Sequence, residues 1–230
     1  MRITDMSRHT RMRIKSMRKE EKQKFDEFVE NIVREIQTDE TKGVNCNPKQ
    51  AAEIADLILQ KAYDMKYYNE SATPIVKIIR EFGIDICRAK RIPEGISGVI
   101  YAGGRTKKVY GSDKIIFTDD SEPFEHQRFV MAHELAHYLF DYLGNPERQN
   151  ARITFAETYP RKNHNSVNEI RANRFAAELL MPKKLFIKQY NSAMDESNSR
   201  FYTIKYLARY FQVKESSIEK RIYEVLYDGG

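Results

Sequence analysis

The 230-residue sequence lacks the features that would place it in a membrane, in a secretory pathway or on a disulfide scaffold. It holds no run of about eighteen apolar residues, so we expect no transmembrane helix. The basic N-terminus is not followed by an apolar segment, so we expect no secretory signal. Its two cysteines, Cys46 and Cys87, lie far apart and outside any paired metal-ligand spacing. We therefore expect a cytoplasmic protein with reduced thiols and no membrane contact.

Internal repeats and low-complexity segments are also absent, and 41% of the residues are hydrophobic. The chain is long enough for one substantial domain with appendages. The first 24 residues carry nine Lys/Arg and three Asp/Glu, which accounts for the whole net charge of +6. We interpret residues 1–24 as a basic arm that is solvated or flexible. The alternative is a weak contact with nucleic acid or with an acidic partner.

Hydrophobic spacing predicts helices on both sides of a strand-rich middle segment. The first helices are predicted at residues 25–36, 51–68 and 75–82. Strands are predicted at residues 84–87, 96–101 and 114–117, with 107–110 as a fourth candidate and Gly103-Gly104 as a hairpin turn. A helix at about 122–142, a polar loop of about twenty residues, a helix at 166–180 and two or three further helices complete the chain.

The segment His133-Glu134-Leu135-Ala136-His137 is the most informative in the sequence. Histidines four residues apart on a helix project from one face and can hold one zinc ion at roughly 2.0–2.1 Å each. The glutamate after the first histidine is placed to take a proton from the attacking water. Two such histidines also occur as satisfied polar groups at a helix–sheet seam, so a third ligand decides between the two interpretations.

Three residues are candidates for the third protein ligand that a catalytic zinc site usually has. Glu169 opens the helix at 166–180, whose face continues with small side chains that allow close approach to the His133/His137 helix. His164 lies in the polar loop without rigid support, and His126 lies two turns before His133, too far to share a metal with His137 unless the helix bends. We favour Glu169, although an acid in a first helical turn also has a purely structural explanation.

Residues 133–140 (His-Glu-Leu-Ala-His-Tyr-Leu-Phe) and 169–182 (Glu-Ile-Arg-Ala-Asn-Arg-Phe-Ala-Ala-Glu-Leu-Leu-Met-Pro) together resemble the ImmA/IrrE family of zinc metallopeptidases. The resemblance implies an α+β fold with a zincin-like core, in which a small twisted sheet packs on the HExxH helix. It implies His133, His137 and Glu169 as Zn²⁺ ligands and Glu134 as general base. It also implies a protein substrate, namely a helix-turn-helix transcriptional repressor that is cut to relieve repression of stress-response or mobile-element genes.

Two further roles have several candidates each. The tetrahedral oxyanion needs a donor besides the metal. The candidates for this role are Tyr138, Tyr159, His164 and Arg171. Acceptors are also expected on the far ring nitrogens of the two histidines, and Asn173 and Glu178 are the candidates.

Residues 204–225 resemble a helix-turn-helix in which Gln212 replaces the usual turn glycine. The second helix carries three acids and two bases, a net charge of −1 that is unfavourable near phosphates. We therefore favour a structural or substrate-docking unit over a DNA reader. The predicted regions are residues 1–47 (basic arm and helix), 48–192 (metallopeptidase-like domain) and 193–230 (helix-turn-helix-like unit).

The sequence thus favours a zinc endopeptidase that acts on a regulatory protein. The alternative is a DNA-binding or partner-binding regulator, or a toxin–antitoxin component, with a structural or vestigial metal site. The oligomeric state stays open, and the apolar stripe of residues 25–36 is expected to pack on its own chain.

Overall fold

A computed structural model of the chain describes residues 8–36, 46–66, 68, 70–90, 95–145, 148–149, 155–160 and 166–227. These residues form a mixed α+β fold that is mostly helical with one small sheet. The helices are α1 (Arg8–Ile36), α2 (Pro48–Asp64), α3 (Ile75–Glu81), α4 (Thr106–Tyr110), α5 (Phe124–His137), α6 (Val167–Leu180), α7 (Lys183–Ser197), α8 (Arg200–Phe211) and α9 (Glu215–Leu226). The strands are β1 (Asp85–Ala89), β2 (Ile96–Ala102), β3 (Lys114–Asp119) and β4 (Phe155–Pro160).

The four strands form one sheet in the order β1-β3-β2-β4. β1 runs parallel to β3, whereas β2 is antiparallel to both of its neighbours. β2, β3 and β4 lie against α5, so the sheet supports the helix that carries the two histidines. The three main strand predictions, at residues 84–87, 96–101 and 114–117, are confirmed within a few residues.

The fourth candidate strand, residues 107–110, is wrong because this segment is the short helix α4 inside the β2–β3 connection. Gly111 ends the helix in a left-handed conformation at φ 78°, which a glycine adopts without steric cost. The amide of Gly103 donates to the carbonyl of Asp113 at 3.1 Å and closes the connection. The predicted Gly103-Gly104 turn therefore leads into a helical turn rather than directly into a strand.

The predicted polar loop after α5 contains the strand β4, which the sequence analysis missed. β4 pairs with β2 in an antiparallel ladder from Ala102 opposite Phe155 to Ile96 opposite Pro160, with a register irregularity between Ile96 and Gly98. The strand is the outer neighbour of β2, so its position depends on a partner that lies more than fifty residues earlier in the chain.

The basic segment is helical from Arg8, and residues 19, 20 and 22–24 are exposed, which is compatible with the solvated arm that we expected; residues 1–7 lie outside the described part of the chain. In the same helix Phe25 and Ile32 are each 1% exposed, and the Phe25 ring meets Phe82 edge-on at 5.0 Å. The apolar stripe therefore packs on its own chain, as predicted.

Two buried arginines link the C-terminal helices to the rest of the fold through hydrogen bonds. Arg128 of α5 donates to the carbonyl of Gln212, in the turn between α8 and α9, at 3.2 Å. Arg221 of α9 donates to the carbonyl of Met181 at 3.1 Å and pairs with Glu178 of α6. The division of the chain at residues 47 and 192 stays a prediction. None of the helices in the described ranges is both long and apolar enough to cross a membrane.

Candidate metal centre

The two histidines of α5 meet with their outer ring nitrogens pointing at each other. Their Nε2 atoms are 2.9 Å apart, and both side chains are at most 1% exposed. The helical repeat of 3.6 residues places His133 and His137 one turn apart on the same face, which explains their proximity. Two buried imidazoles therefore share one small volume.

Glu169 reaches the same volume from the first turn of α6. Its Oε2 lies 3.3 Å from Nε2 of His133, and its Oε1 lies 3.2 Å from Nε2 of His137. Ser166 caps the helix by accepting a hydrogen bond from the Glu169 amide at 3.2 Å, which fixes where the side chain starts. Among the described residues, these three form the group of His, Cys, Asp or Glu side chains that is arranged to hold a metal ion.

The distances between the three side chains fit a zinc ion. Tetrahedral ligands at about 2.0–2.1 Å from zinc lie roughly 3.3 Å from one another. The two Glu169–histidine distances match that spacing, and the histidine–histidine distance is slightly shorter. Two nitrogens and one carboxylate are a donor set that zinc accepts, and three protein ligands leave the fourth position for water or substrate.

Acceptors behind each imidazole set which ring nitrogen is available to a metal. Nδ1 of His133 lies 3.1 Å from Oδ1 of Asn173, and Nδ1 of His137 lies 2.7 Å from Oδ2 of Asp141. When Nδ1 donates to these oxygens, Nε2 carries a lone pair toward the centre. Asn173 is thus one of the predicted acceptors, whereas Glu178 pairs with Arg221 instead.

Asp141 is itself held by a second charged group. Nη2 of Arg171 lies 2.6 Å from Oδ1 of Asp141, and the guanidinium stacks over the Phe140 ring at 5.0 Å from its centre. Asp141 therefore bridges Arg171 and His137. The predicted role of Arg171 as an oxyanion donor is not supported, because its guanidinium is buried against Asp141.

The electrostatics of the centre favour a cation. Burial lowers the pKa of His133 more than its hydrogen bond to Glu169 raises it. Burial also lowers the pKa of His137, but hydrogen bonds to Asp141 and Glu169 outweigh it and raise that pKa to about 10. Burial raises the pKa of Glu169, but hydrogen bonds from the two histidines lower it to about 2.

Glu134 lies on the sheet side of the same helix, and its side chain is fully buried. A Cβ atom built on Gly98 of β2 would lie 3.6 Å from Oε1 of Glu134 and only 2.2 Å from Cγ1 of Val130. Only a glycine at this position lets the β2 backbone come so close to α5. Gly98 therefore shapes the wall beside the predicted general base.

Two of the remaining predicted residues, Tyr138 and His126, have hydrogen-bond partners outside the metal centre. The Tyr138 hydroxyl accepts a hydrogen bond from Nζ of Lys114 at 3.2 Å, and that lysine also donates to the carbonyl of Phe82, so this tyrosine faces the β3–α3 side. Nε2 of His126 lies 3.3 Å from Oγ of Ser97. The backbone of Tyr159, in β4, pairs with that of Gly98 in β2. His164 lies outside the described residues.

Two functional residues escaped the sequence analysis. Asp141 follows His137 by four residues, so its spacing alone was a usable signal that it lies on the same side of the helix. It sits in a π-helical turn, Tyr138–Leu143, that continues α5. Gly98 gave no signal, because the clash that excludes larger side chains comes from a helix more than thirty residues away in sequence.

Comparisons with known proteins identify one matching family and one similar solved structure. The profile of the Peptidase M78 family, described as the IrrE N-terminal-like domain, matches residues 79–223. A solved structure of a Mycobacterium tuberculosis transcriptional regulator is similar at 16% sequence identity and a TM-score of 0.44. The match covers 83% of this chain and 51% of that one, so this chain spans about half the length of that protein. No curated protein matches the chain.

Proposed function

The chain belongs to the Peptidase M78 family, whose profile covers more than half of its residues, and we propose that it is a zinc-dependent endopeptidase that cleaves a regulatory protein. The observation that carries the proposal is the convergence of His133, His137 and Glu169 on one volume. The family supports peptidase activity in general. The metal, the substrate, a cytoplasmic location and the roles of individual residues belong to the proposal.

The proposed chemistry assigns a role to each of four side chains. Zinc would act as a Lewis acid on the scissile carbonyl and lower the pKa of the attacking water. His133, His137 and Glu169 would hold it. Glu134 accepts a proton from the attacking water and passes it to the leaving amine. Because Glu134 is buried between α5 and β2, its carboxylate has few alternative positions.

The proposed substrate is a transcriptional repressor of the helix-turn-helix type. Its support is the family resemblance together with α8 and α9, which we propose to be a helix-turn-helix-like unit that docks a protein rather than DNA. Val213 and Ile218 are buried, at 2% and 0% exposure, as expected for residues that pack the two helices of such a motif together. Gln212 takes the left-handed conformation, φ 54°, that a turn glycine adopts in the usual motif.

Elemental analysis and one substitution test the enzyme proposal. We expect about one zinc per chain, because one three-ligand site is found among the described residues. Glu134→Gln should keep the zinc and the fold but lose cleavage by at least about 100-fold, because the general base is removed. Glu27→Gln on the exposed face of α1, away from the metal centre and from α8 and α9, is the matched control and should cleave normally. A purified protein that takes up no transition metal on titration contradicts the proposal.

The substrate proposal has its own experiment. The zinc-loaded protein is mixed with purified helix-turn-helix repressors from the same genome, beginning with any that a neighbouring gene encodes, and the products are analysed by mass spectrometry. We expect one defined cut with the wild type and none with Glu134→Gln. If the repressor stays intact while the protein binds zinc and cleaves a generic peptide, the substrate proposal is refuted and the enzyme proposal is retained.

A second function is favoured by one observation, the concentration of nine basic residues in positions 1–24. If this segment binds DNA, binding should weaken steeply with salt and survive Glu134→Gln. Electrophoretic mobility shifts at two salt concentrations, with and without residues 1–24, measure it.

A further inference from the structure

A cavity of about 680 Å³ opens beside the candidate metal centre. It lies between the start of α5, one face of α6 and the start of α9, and this volume is typical of ligand pockets. Phe129, Ile170, Ala177 and Met181 give it an apolar wall. The cavity plays no part in the catalytic chemistry described above.

The position of the cavity relative to the metal centre follows from the antiparallel packing of α5 and α6. His133 faces Asn173, whereas His137 faces Glu169. Asn173 also lines the cavity, and Phe129 lines it from one helical turn before His133, a distance of about 6 Å along the helix. An extended chain rises about 3.3 Å per residue, so the cavity would receive a side chain roughly two residues from the scissile bond.

The charge of the lining favours an acidic occupant. Five basic and two acidic residues line the cavity. One of these acids, Glu224, is already held by Arg174 at 3.1 Å and by Arg221 at 3.2 Å. The other three bases are lysines: Lys49, Lys214 and Lys220. Within the described ranges these lysines have no carboxylate partner, so their charge is available to a ligand.

The apolar wall favours a peptide over a nucleic acid. Ile170 is 49% exposed although it directly follows Glu169, and exposed aliphatic surface at a concave site is typical of protein recognition. A nucleic-acid strand is bound along an extended groove by basic residues and stacked aromatic rings, whereas this cavity is a pocket between helices with an aliphatic wall and two rings, those of Phe129 and His126, in its lining.

We propose that this cavity is a specificity pocket that binds an acidic segment of the substrate, with an apolar side chain against Ile170 and Phe129 and carboxylates near Lys214 and Lys220. The proposal rests on the proposed peptidase function, since it describes how the same substrate is chosen. The lysines belong to α9 and its N-terminal cap, so the C-terminal unit would contribute directly to substrate selection.

The test compares two peptides on the zinc-loaded full chain carrying Glu134→Gln, so that nothing is cleaved. The probes are fluorescein-labelled Gly-Asp-Glu-Leu-Glu-Asp-Gly and Gly-Lys-Arg-Leu-Arg-Lys-Gly, and binding is measured by fluorescence anisotropy. We expect the acidic peptide to bind about tenfold more tightly, because each complementary charge pair at an interface rim contributes modestly. Lys214→Glu combined with Lys220→Glu should abolish or reverse this preference.

Lys108→Glu, an exposed lysine on α4 outside the cavity, is the matched control and should leave the preference unchanged. Circular dichroism verifies that the variants fold. Equal binding of the two peptides, or a preference that persists in the double variant, overturns the inference. The inference is also overturned if a labelled oligothymidylate binds more tightly than the acidic peptide and this binding is lost in the same double variant.

Failure of this inference is distinguishable from failure of the proposed function. Zinc content and cleavage are measured on the wild type, independently of peptide preference. Zinc binding and cleavage without any charge preference refute the specificity pocket alone. A charge preference in a protein that binds no zinc supports the pocket and refutes the peptidase.

Discussion

A histidine binds zinc through an unprotonated nitrogen, so the groups behind the two imidazoles control the proposed centre as much as the imidazoles do. These groups differ, because a neutral amide (Asn173) stands behind His133 and a carboxylate (Asp141) behind His137. A carboxylate acceptor makes the imidazole more electron-rich and a stronger ligand than an amide does. His137 should therefore contribute more to metal affinity than His133.

Asp141→Asn should weaken zinc binding about 10- to 100-fold, the usual effect of changing a residue that orients a metal-binding histidine. The substitution removes the negative charge on which Nδ1 of His137 and Nη2 of Arg171 converge. Competition with a chromogenic chelator measures the affinity. Asp195→Asn on the exposed face of α7 is the control. Unchanged affinity in Asp141→Asn would show that the carboxylate does not tune the site.

The sequence predicted those site residues that are related to one another by local spacing along a helix. His133, Glu134 and His137 follow from helical spacing alone, and Glu169 follows from its place in a first helical turn next to small residues. The orientation of Arg171 depends on where Asp141 lies in the neighbouring helix, which no local pattern contains. Tyr138 directly follows His137, and adjacent residues on a helix point in different directions.

At the scale of elements, the contact between β2 and α5 positions the predicted general base. Gly98→Ala should destabilise the fold by about 1–3 kcal/mol, the usual cost of inserting a methyl group into a filled core. The inserted Cβ would meet Val130 at 2.2 Å and the Phe117 carbonyl at 3.1 Å. Urea unfolding followed by circular dichroism measures the loss.

A double-substitution cycle separates this steric cost from a backbone effect. In the Val130→Ala background the nearest clashing atom is gone, so Gly98→Ala should cost clearly less than it does in the wild type. An equal cost in both backgrounds would mean that the close approach of strand and helix does not cause the effect.

Element predictions succeeded for the apolar helices and failed where a partner decides the structure. Residues 155–160 pair with β2 over a long sequence separation, and their polar surroundings are typical of a loop. The segment 107–110 is too short for its periodicity to distinguish a helix from a strand. In the structure it is helical and ends at Gly111, which is left-handed. The first error therefore reflects non-local strand pairing, and the second reflects a segment too short for its periodicity to be interpreted.

At the scale of the whole molecule, the C-terminal helices are expected to unfold together with the metal-binding core. Arg221 is 1% exposed and links α9 to Glu178 of α6 and to the Met181 carbonyl. The rings of Phe186 and Phe211 stack at 5.7 Å and join α7 to α8. A boundary with so many buried contacts is unlike a flexible linker. Cooperative unfolding would also keep the proposed specificity pocket aligned with the metal centre.

Glu178→Ala should therefore destabilise the whole protein by about 3–5 kcal/mol, because it removes the buried partner of Arg221. Replacing both residues, with Glu178→Met and Arg221→Met, should cost less, since no charge is then left buried. Urea unfolding measures the stability, and hydrogen exchange of the α9 amides shows whether this helix opens separately. A single transition with α9 exchanging at the global rate is expected. If α9 instead unfolds at lower urea than α5 in the wild type, residues 193–230 form an independent unit and its coupling to the metal centre is refuted.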